Sequence, residues 1–258
     1  MPHINLKKDE FHWWFTHSDQ IQNTALIKAY HQMINAEEEE RRVKFRFERH
    51  RHQHLVTRAL VRTTLSHYVN DIAPQNWKFV KNQYGRPDIC PSMNLPSLKF
   101  NLSHTENLIC CGVCLDNEMG VDVENVERIS ATLDISKRFF SANEYTDLLK
   151  VPKHLQKQYF FYYWTLKEAY IKAKGKGIHI PLDQFSYDLK TKDKISVNFD
   201  ASLGDDPQDW QFMLINIDQK YRSALAINRG KTENMKVDIR EVVPLDSEKD
   251  LNYRIIAQ

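Results

Sequence analysis

The sequence predicts an α+β fold built as two related halves, and three observations carry that reading. Period-two runs at 120–124, 194–199 and 211–228 read as strands, and the apolar run at 108–115 reads as a central strand. Helical patterning fills 36–69 and a second stretch that stops at Gly175 and Gly177. Two segments, Arg58-Ala59-Leu60-Val61-Arg62 and Glu168-Ala169-Tyr170-Ile171-Lys172, occupy comparable places in those helical stretches, as a repeated unit would. A boundary near Asn117 gives a half from 1 to 117 and a half from 118 to 229. Residues 230–258 are then a polar extension, either a tail or an added strand.

Composition narrows the class. With 27% charged and 41% apolar residues in 258, there is material for a large core, and no apolar run reaches membrane length. The first ten residues carry no apolar signal core, so the expected location is the cytoplasm. Cys110, Cys111 and Cys114 lie in one apolar run and Cys90 stands apart, which suits reduced thiols better than a zinc set or a redox pair. Net charge is only +2, yet Arg41 to Arg62 holds eight Lys/Arg against the single acid Glu48. Such a local basic stretch suits a phosphate-bearing ligand or an acidic protein as well as nucleic acid.

In chain order, Phe11 to Phe15 reads as a strand and Thr16 to Met33 as weakly helical. The long helical stretch starts near Ala36, with the acids Glu37 to Glu40 at its positive end, and runs with room for a break to Val69. Within it, His50 and His54 share a face, but no carboxylate supports them and neighbouring arginines repel a cation, so a polar surface is expected. Prolines including Pro74, Pro87 and Pro91 exclude a long helix from 71 to 100. There, Gly85-Arg86-Pro87 puts a guanidinium directly after a turn glycine, within reach of a ligand phosphate. Ser103, His104 and Thr105 are expected in the turn before the 108–115 strand, where hydroxyls, amides and an imidazole suit phosphate oxygen. Asn117 and Gly120 read as the next turn.

The chemistry concentrates in two places. Along Gly120-Val121-Asp122-Val123-Glu124, strand geometry puts Asp122 and Glu124 on one face and the valines on the other. Two adjacent carboxylates repel unless a cation lies between them, and oxygen donors with open positions suit Mg²⁺. The helix around Trp164 to Lys174 turns Leu166, Tyr170 and Ala173 to a core and carries Glu168 and Lys172 away from it. Between these places, Ser141 with Glu144 three residues on forms a capping box.

Taken together, Gly85-Arg86-Pro87, Asn101-Leu102-Ser103-His104, Gly120-Val121-Asp122-Val123-Glu124, Phe140-Ser141-x-x-Glu144 and Trp164-x-x-Lys167-Glu168-Ala169-Tyr170-x-Lys172 resemble the surfactin-type 4'-phosphopantetheinyl transferases, across roughly 36–190. The resemblance implies a pseudo-dimer of two similar α+β subdomains with coenzyme A in the cleft between them. It implies transfer of the phosphopantetheine arm of coenzyme A to a serine of an apo acyl or peptidyl carrier protein, with 3',5'-ADP leaving. On this footing Asp122, Glu124 and Glu168 hold Mg²⁺, and Lys172 and His104 contact the substrate phosphates. Glu168 and Glu144 are candidates for the base, while Arg86, Arg41 and Ser103 hold the 3'-phosphate end. Two departures stand out: Arg86 replaces the lysine often found there, and Glu37 to Glu40 cover a position that is commonly basic. A working monomer is expected, with no membrane or nucleic-acid partner. A nucleic-acid module would leave the three acids without purpose, whereas a Mg²⁺ phosphohydrolase would use them and differ only in its product.

Overall fold

The glycine at 175 ends a helix of 22 residues, and the alternating runs become strands, in a computed structural model that describes residues 3–95, 97–127 and 133–258. In chain order the first elements are β1 (Glu10–His17), α1 (Thr24–Met33), α2 (Ala36–Val43), α3 (Glu48–Ser66), β2 (Phe79–Lys81), β3 (Pro87–Ile89), β4 (Leu98–His104) and β5 (Leu108–Leu115). Then come β6 (Glu118–Asn125), α4 (Leu133–Phe139), α5 (Ala142–Lys150), α6 (Lys153–Lys174), β7 (Phe185–Asp188) and β8 (Ser196–Phe199). The chain closes with β9 (Trp210–Ile217), β10 (Tyr221–Asn228), β11 (Lys236–Val243), β12 (Ser247–Asp250) and β13 (Tyr253–Ala257). Two compact units result. The first takes residues up to Val80, Pro87–Asp116 and Lys236–Leu251, and the second takes Lys81–Arg86, Asn117–Met235 and Asn252–Gln258.

The first unit is a five-stranded sheet, order β12-β11-β1-β5-β4, with α3 packed on it and α1 packed against α3. β1 lies at its centre, parallel to β11 and antiparallel to β5, which is why Phe11, Trp13, Trp14 and Phe15 are all buried. The long helical stretch does break. Asn35 and Glu38 form a capping box at the start of α2, and α3 begins after residues 44–47. The acids of α2 absorb much of the basic run. Glu38 takes both Arg58 and the fully buried Arg62, Glu39 takes Arg42, and Glu40 takes Lys44. Arg62 also donates to the carbonyls of Pro74 and Trp77, so its charge sits in a satisfied cage.

Two turns lie elsewhere than the sequence suggested. Ser103 and His104 belong to β4, because the ladder continues through His104↔Ile109 and the hairpin closes only where Thr105 N donates to Leu108 O. Polar side chains there mimic turn composition, yet they alternate as on a strand. Gly120 lies inside β6, and the turn before it is made at Asp116, whose φ is 61°.

The second unit is a four-stranded sheet, order β13-β9-β10-β6, with α6 lying on it. The expected runs at 211–228 become β9 and β10, joined by a turn at Asp218. Its core is formed by Leu166, Ala169, Tyr170 and Ala173 of α6 over Phe212, Leu214, Ala224 and Ala226 of the sheet. Residues after 230 supply β11 and β12 to the first sheet and β13 to the second.

Candidate functional site

On β6, Gly120, Asp122 and Glu124 share one face by strand alternation, and α6 lies against that face. Gly120 makes the approach close: a Cβ there would fall nearer than 3.0 Å to the carbonyl oxygen of Ala169 and to the amide nitrogen of Ala173. Those two residues each follow a functional candidate, Glu168 and Lys172. The result is a short ion pair, Lys172 Nζ to Asp122 Oδ1 at 2.6 Å, with Asp122 buried and Lys172 about one quarter exposed. Ser223 Oγ, on the neighbouring β10, donates to the Asp122 carbonyl at 2.6 Å and pins the strand at that residue.

Glu168 stands beside this pair. Burial, followed by the negative charge of Asp122 and then that of Glu124, pushes its carboxyl up from 4.5 to about 7, while Lys172 pulls the other way. The three expected acids therefore feel one another. Among the described residues, however, no three His, Cys, Asp or Glu side chains are already grouped as a metal cage, and an ammonium sits on Asp122. The donor chemistry still fits a hard divalent cation, since all three are carboxylates whose repulsion raises Glu168 and would be relieved by one.

Glu144 requires a correction. It is fully buried and both its oxygens are engaged: Ser141 N donates to Oε2 at 2.9 Å, Tyr187 N donates to Oε1 at 2.9 Å, and Lys167 Nζ lies 2.8 Å from Oε2. A carboxylate so enclosed has no route to a substrate proton, so its work is structural. Sequence reasoning overlooked its partner. Lys167 has no exposed side-chain surface, donates to the carbonyls of Leu182 and Phe185 at 2.6 Å each, and stands over the Phe185 ring. Burial lowers its ammonium and Glu144 opposes that shift. The signal for it was a lysine between two residues facing the core, Leu166 and Tyr170.

The remaining candidates are distributed as follows. Arg86 belongs to the second unit, where its Nη1 donates to Ala173 O at 2.9 Å and Nη2 to Met119 O at 3.4 Å, so it caps the carboxyl end of α6. Asn82 joins it by donating to Gly175 O at 2.8 Å. Arg41, Ser103 and His104 belong to the first unit; Arg41 and His104 are exposed and Ser103 is buried. Among the histidines of α3, His52 Nε2 donates to Ser18 O at 2.8 Å, and burial with the charges of Arg58 and Arg41 lowers His54 to about 4. His54 thus stays neutral near pH 7. Cys90, Cys110, Cys111 and Cys114 are free thiols, and burial pushes Cys111 up.

Comparison with known proteins places this geometry. The model of the 4'-phosphopantetheinyl transferase superfamily matches residues 118–226, and that of the N-terminal part of 4'-phosphopantetheinyl transferases matches 22–114. The chain is 37% identical over 164 residues to the 4'-phosphopantetheinyl transferase ffp of Bacillus subtilis, covering 64% of this chain and 70% of that one. It is 35% identical over 170 residues to Sfp of Bacillus subtilis strain 168, with 66% and 72% covered. It is 34% identical over 177 residues to HetI of a Nostoc species, with 69% and 73% covered. With Asp122, Glu124, Glu168 and Lys172 brought to one face of its second unit, the chain belongs to the 4'-phosphopantetheinyl transferase family.

Proposed function

We propose that the β6–α6 face is the centre at which this enzyme transfers the phosphopantetheine arm of coenzyme A to a serine of an apo carrier protein. The observation that supports this most is the ion pair of Lys172 with the buried Asp122, close enough to Glu168 for the charges of both to act on its carboxyl. Asp122, Glu124 and Glu168 would hold Mg²⁺, which when bound neutralises charge on the pyrophosphate oxygens in the transition state. Lys172 exchanges its contact with Asp122 for a substrate phosphate and carries positive charge to it. His104 and, at the 3'-phosphate, Arg41, Arg86 and Ser103 add donors. Arg86 does so only by sharing or leaving its bond to the end of α6.

The serine oxygen forms a bond to the β-phosphorus, the bond from that phosphorus to 3',5'-ADP breaks, and the serine proton goes to a carboxylate oxygen of Glu168. With Mg²⁺ bound the ionised form of Glu168 is favoured, and that is the form able to accept the proton. The free thiols support a reducing compartment, the cytoplasm, and the presence of two compact units in one chain supports action as a monomer. Among the described residues no helix is long and apolar enough to cross a membrane.

Intact mass of apo carrier proteins incubated with the protein, coenzyme A and Mg²⁺ tests the reading. One added phosphopantetheine, absent with EDTA and with Glu168→Gln, is expected. Coenzyme A cleaved with no carrier modified would make the protein a hydrolase instead.

A further inference from the structure

Helices usually rest on sheets through side chains that hold the two backbones apart. At Gly120 this spacing collapses. The hydrogen of Gly120 that a Cβ would replace points at the backbone of α6, at Ala169 O and Ala173 N, and a Cβ would also lie 3.0 Å from the carbonyl carbon of Lys172. The neighbourhood is built for such contact. Ala226, the register partner of Gly120 on β10, and Ala224, the partner of Asp122, lie buried under the same helix, whose facing residues Ala169 and Ala173 are also small and buried. The atoms that would be struck are backbone, so no rotamer change relieves the overlap.

We infer that Gly120 is a positioning residue of the transfer reaction, setting the distance from Asp122 to Glu168 and Lys172 by letting α6 lie directly on β6. This rests on the reading of the β6–α6 face given above. The two struck atoms are the acceptor and donor of one helical hydrogen bond, so the contact falls at a single point of α6 and fixes the height of the helix over β6 there. Asp122, two residues along the strand on the same face, and Lys172, beside one struck atom, then meet at 2.6 Å. An alanine at 120 displaces α6 by about 1 Å, a misplacement that costs about a hundredfold in rate when reacting groups must be held in register.

The test compares Gly120→Ala with Ile217→Val, which trims the buried core of the same sheet without touching the helix contact. Binding of Mn²⁺ alone is measured by calorimetry, and turnover is separated into kcat and KM for the carrier. Gly120→Ala is expected to bind Mn²⁺ about tenfold more weakly and to lose about a hundredfold in kcat, with the carrier KM within about twofold. Ile217→Val is expected to match wild type in all three. Should Gly120→Ala fail to fold by near-ultraviolet circular dichroism, Ala169→Ser supplies a smaller wedge at the same interface, with losses in the same two quantities. Mn²⁺ affinity and kcat that fall no further than in Ile217→Val would overturn the proposal. A wild type that modifies carriers but binds no Mn²⁺ would overturn it too, while a wild type that modifies no carrier would remove the underlying reading as well.

Discussion

At Glu168, burial and the charges of Asp122 and Glu124 hold the carboxyl near 7 against the pull of Lys172. A carboxyl whose folded value lies above its unfolded value of 4.5 binds its proton more tightly in the folded chain. Its contribution to stability is complete below about 4.5 and is lost as pH rises through about 7. Denaturation in urea with EDTA present should therefore show stability falling by roughly 3 kcal/mol from this group across that window. Glu168→Gln should flatten the fall, and saturating Mg²⁺ should do the same by favouring the ionised form. An unchanged slope in Glu168→Gln would mean that the titration belongs to another group. The residue that reads as acid chemistry is thus also where the metal-free fold is under electrostatic load.

The long helix α6 owes its position to two buried interactions at different points along its length. Near its middle, Lys167 is tied to Glu144, itself the cap of α5 and the acceptor of Tyr187 N, so α5, α6 and β7 meet at one ion pair. Breaking such a pair from one side leaves a charge in an apolar site. Lys167→Met should cost about 3–5 kcal/mol in urea unfolding. Glu144→Gln, which keeps its shape, should lower stability yet leave the pH profile of the residual transfer rate where wild type has it. A profile that loses its acidic limb in Glu144→Gln would restore Glu144 as the base. At the carboxyl end, Gly175 takes the left-handed conformation with φ 65°, and Arg86 with Asn82 satisfies the carbonyls of Ala173 and Gly175.

For the whole molecule, the last residues are framework. β11 lies beside the central β1, and Thr16 Oγ1 donates to Val242 O at 2.7 Å, Tyr30 donates to Pro244 O at 2.7 Å, and His17 meets Glu241. β13 covers β9 in the other sheet. Deleting 236–258 bares the backbone of both β1 and β9. The truncated chain should lose cooperative thermal unfolding and exchange the amides of β1 and β9 rapidly with deuterium. Protection retained at those amides would make the segment a dispensable tail.

Much of this was legible in the primary sequence, because periodicity and punctuation are local. Alternation at 120–124 and 211–228, the capping box at Ser141, and the stop at Gly175 each need only neighbouring residues to act. The motif residues also carried the resemblance to the transferase family, with Asp122, Glu168 and Lys172 in one constellation. What sequence could not show depends on groups distant along the chain. That Glu144 is sealed by Lys167, that Glu38 neutralises Arg58 and Arg62, and that Lys172 rests on Asp122 are decided by contacts spanning 20 to 50 positions. The close seat of α6 on Gly120 and the fate of residues 236–258 were likewise decided only by packing. Local pattern sets which elements form and which way their side chains face; only the folded chain decides which charges meet, because ionic and packing energies depend on separation and burial in space.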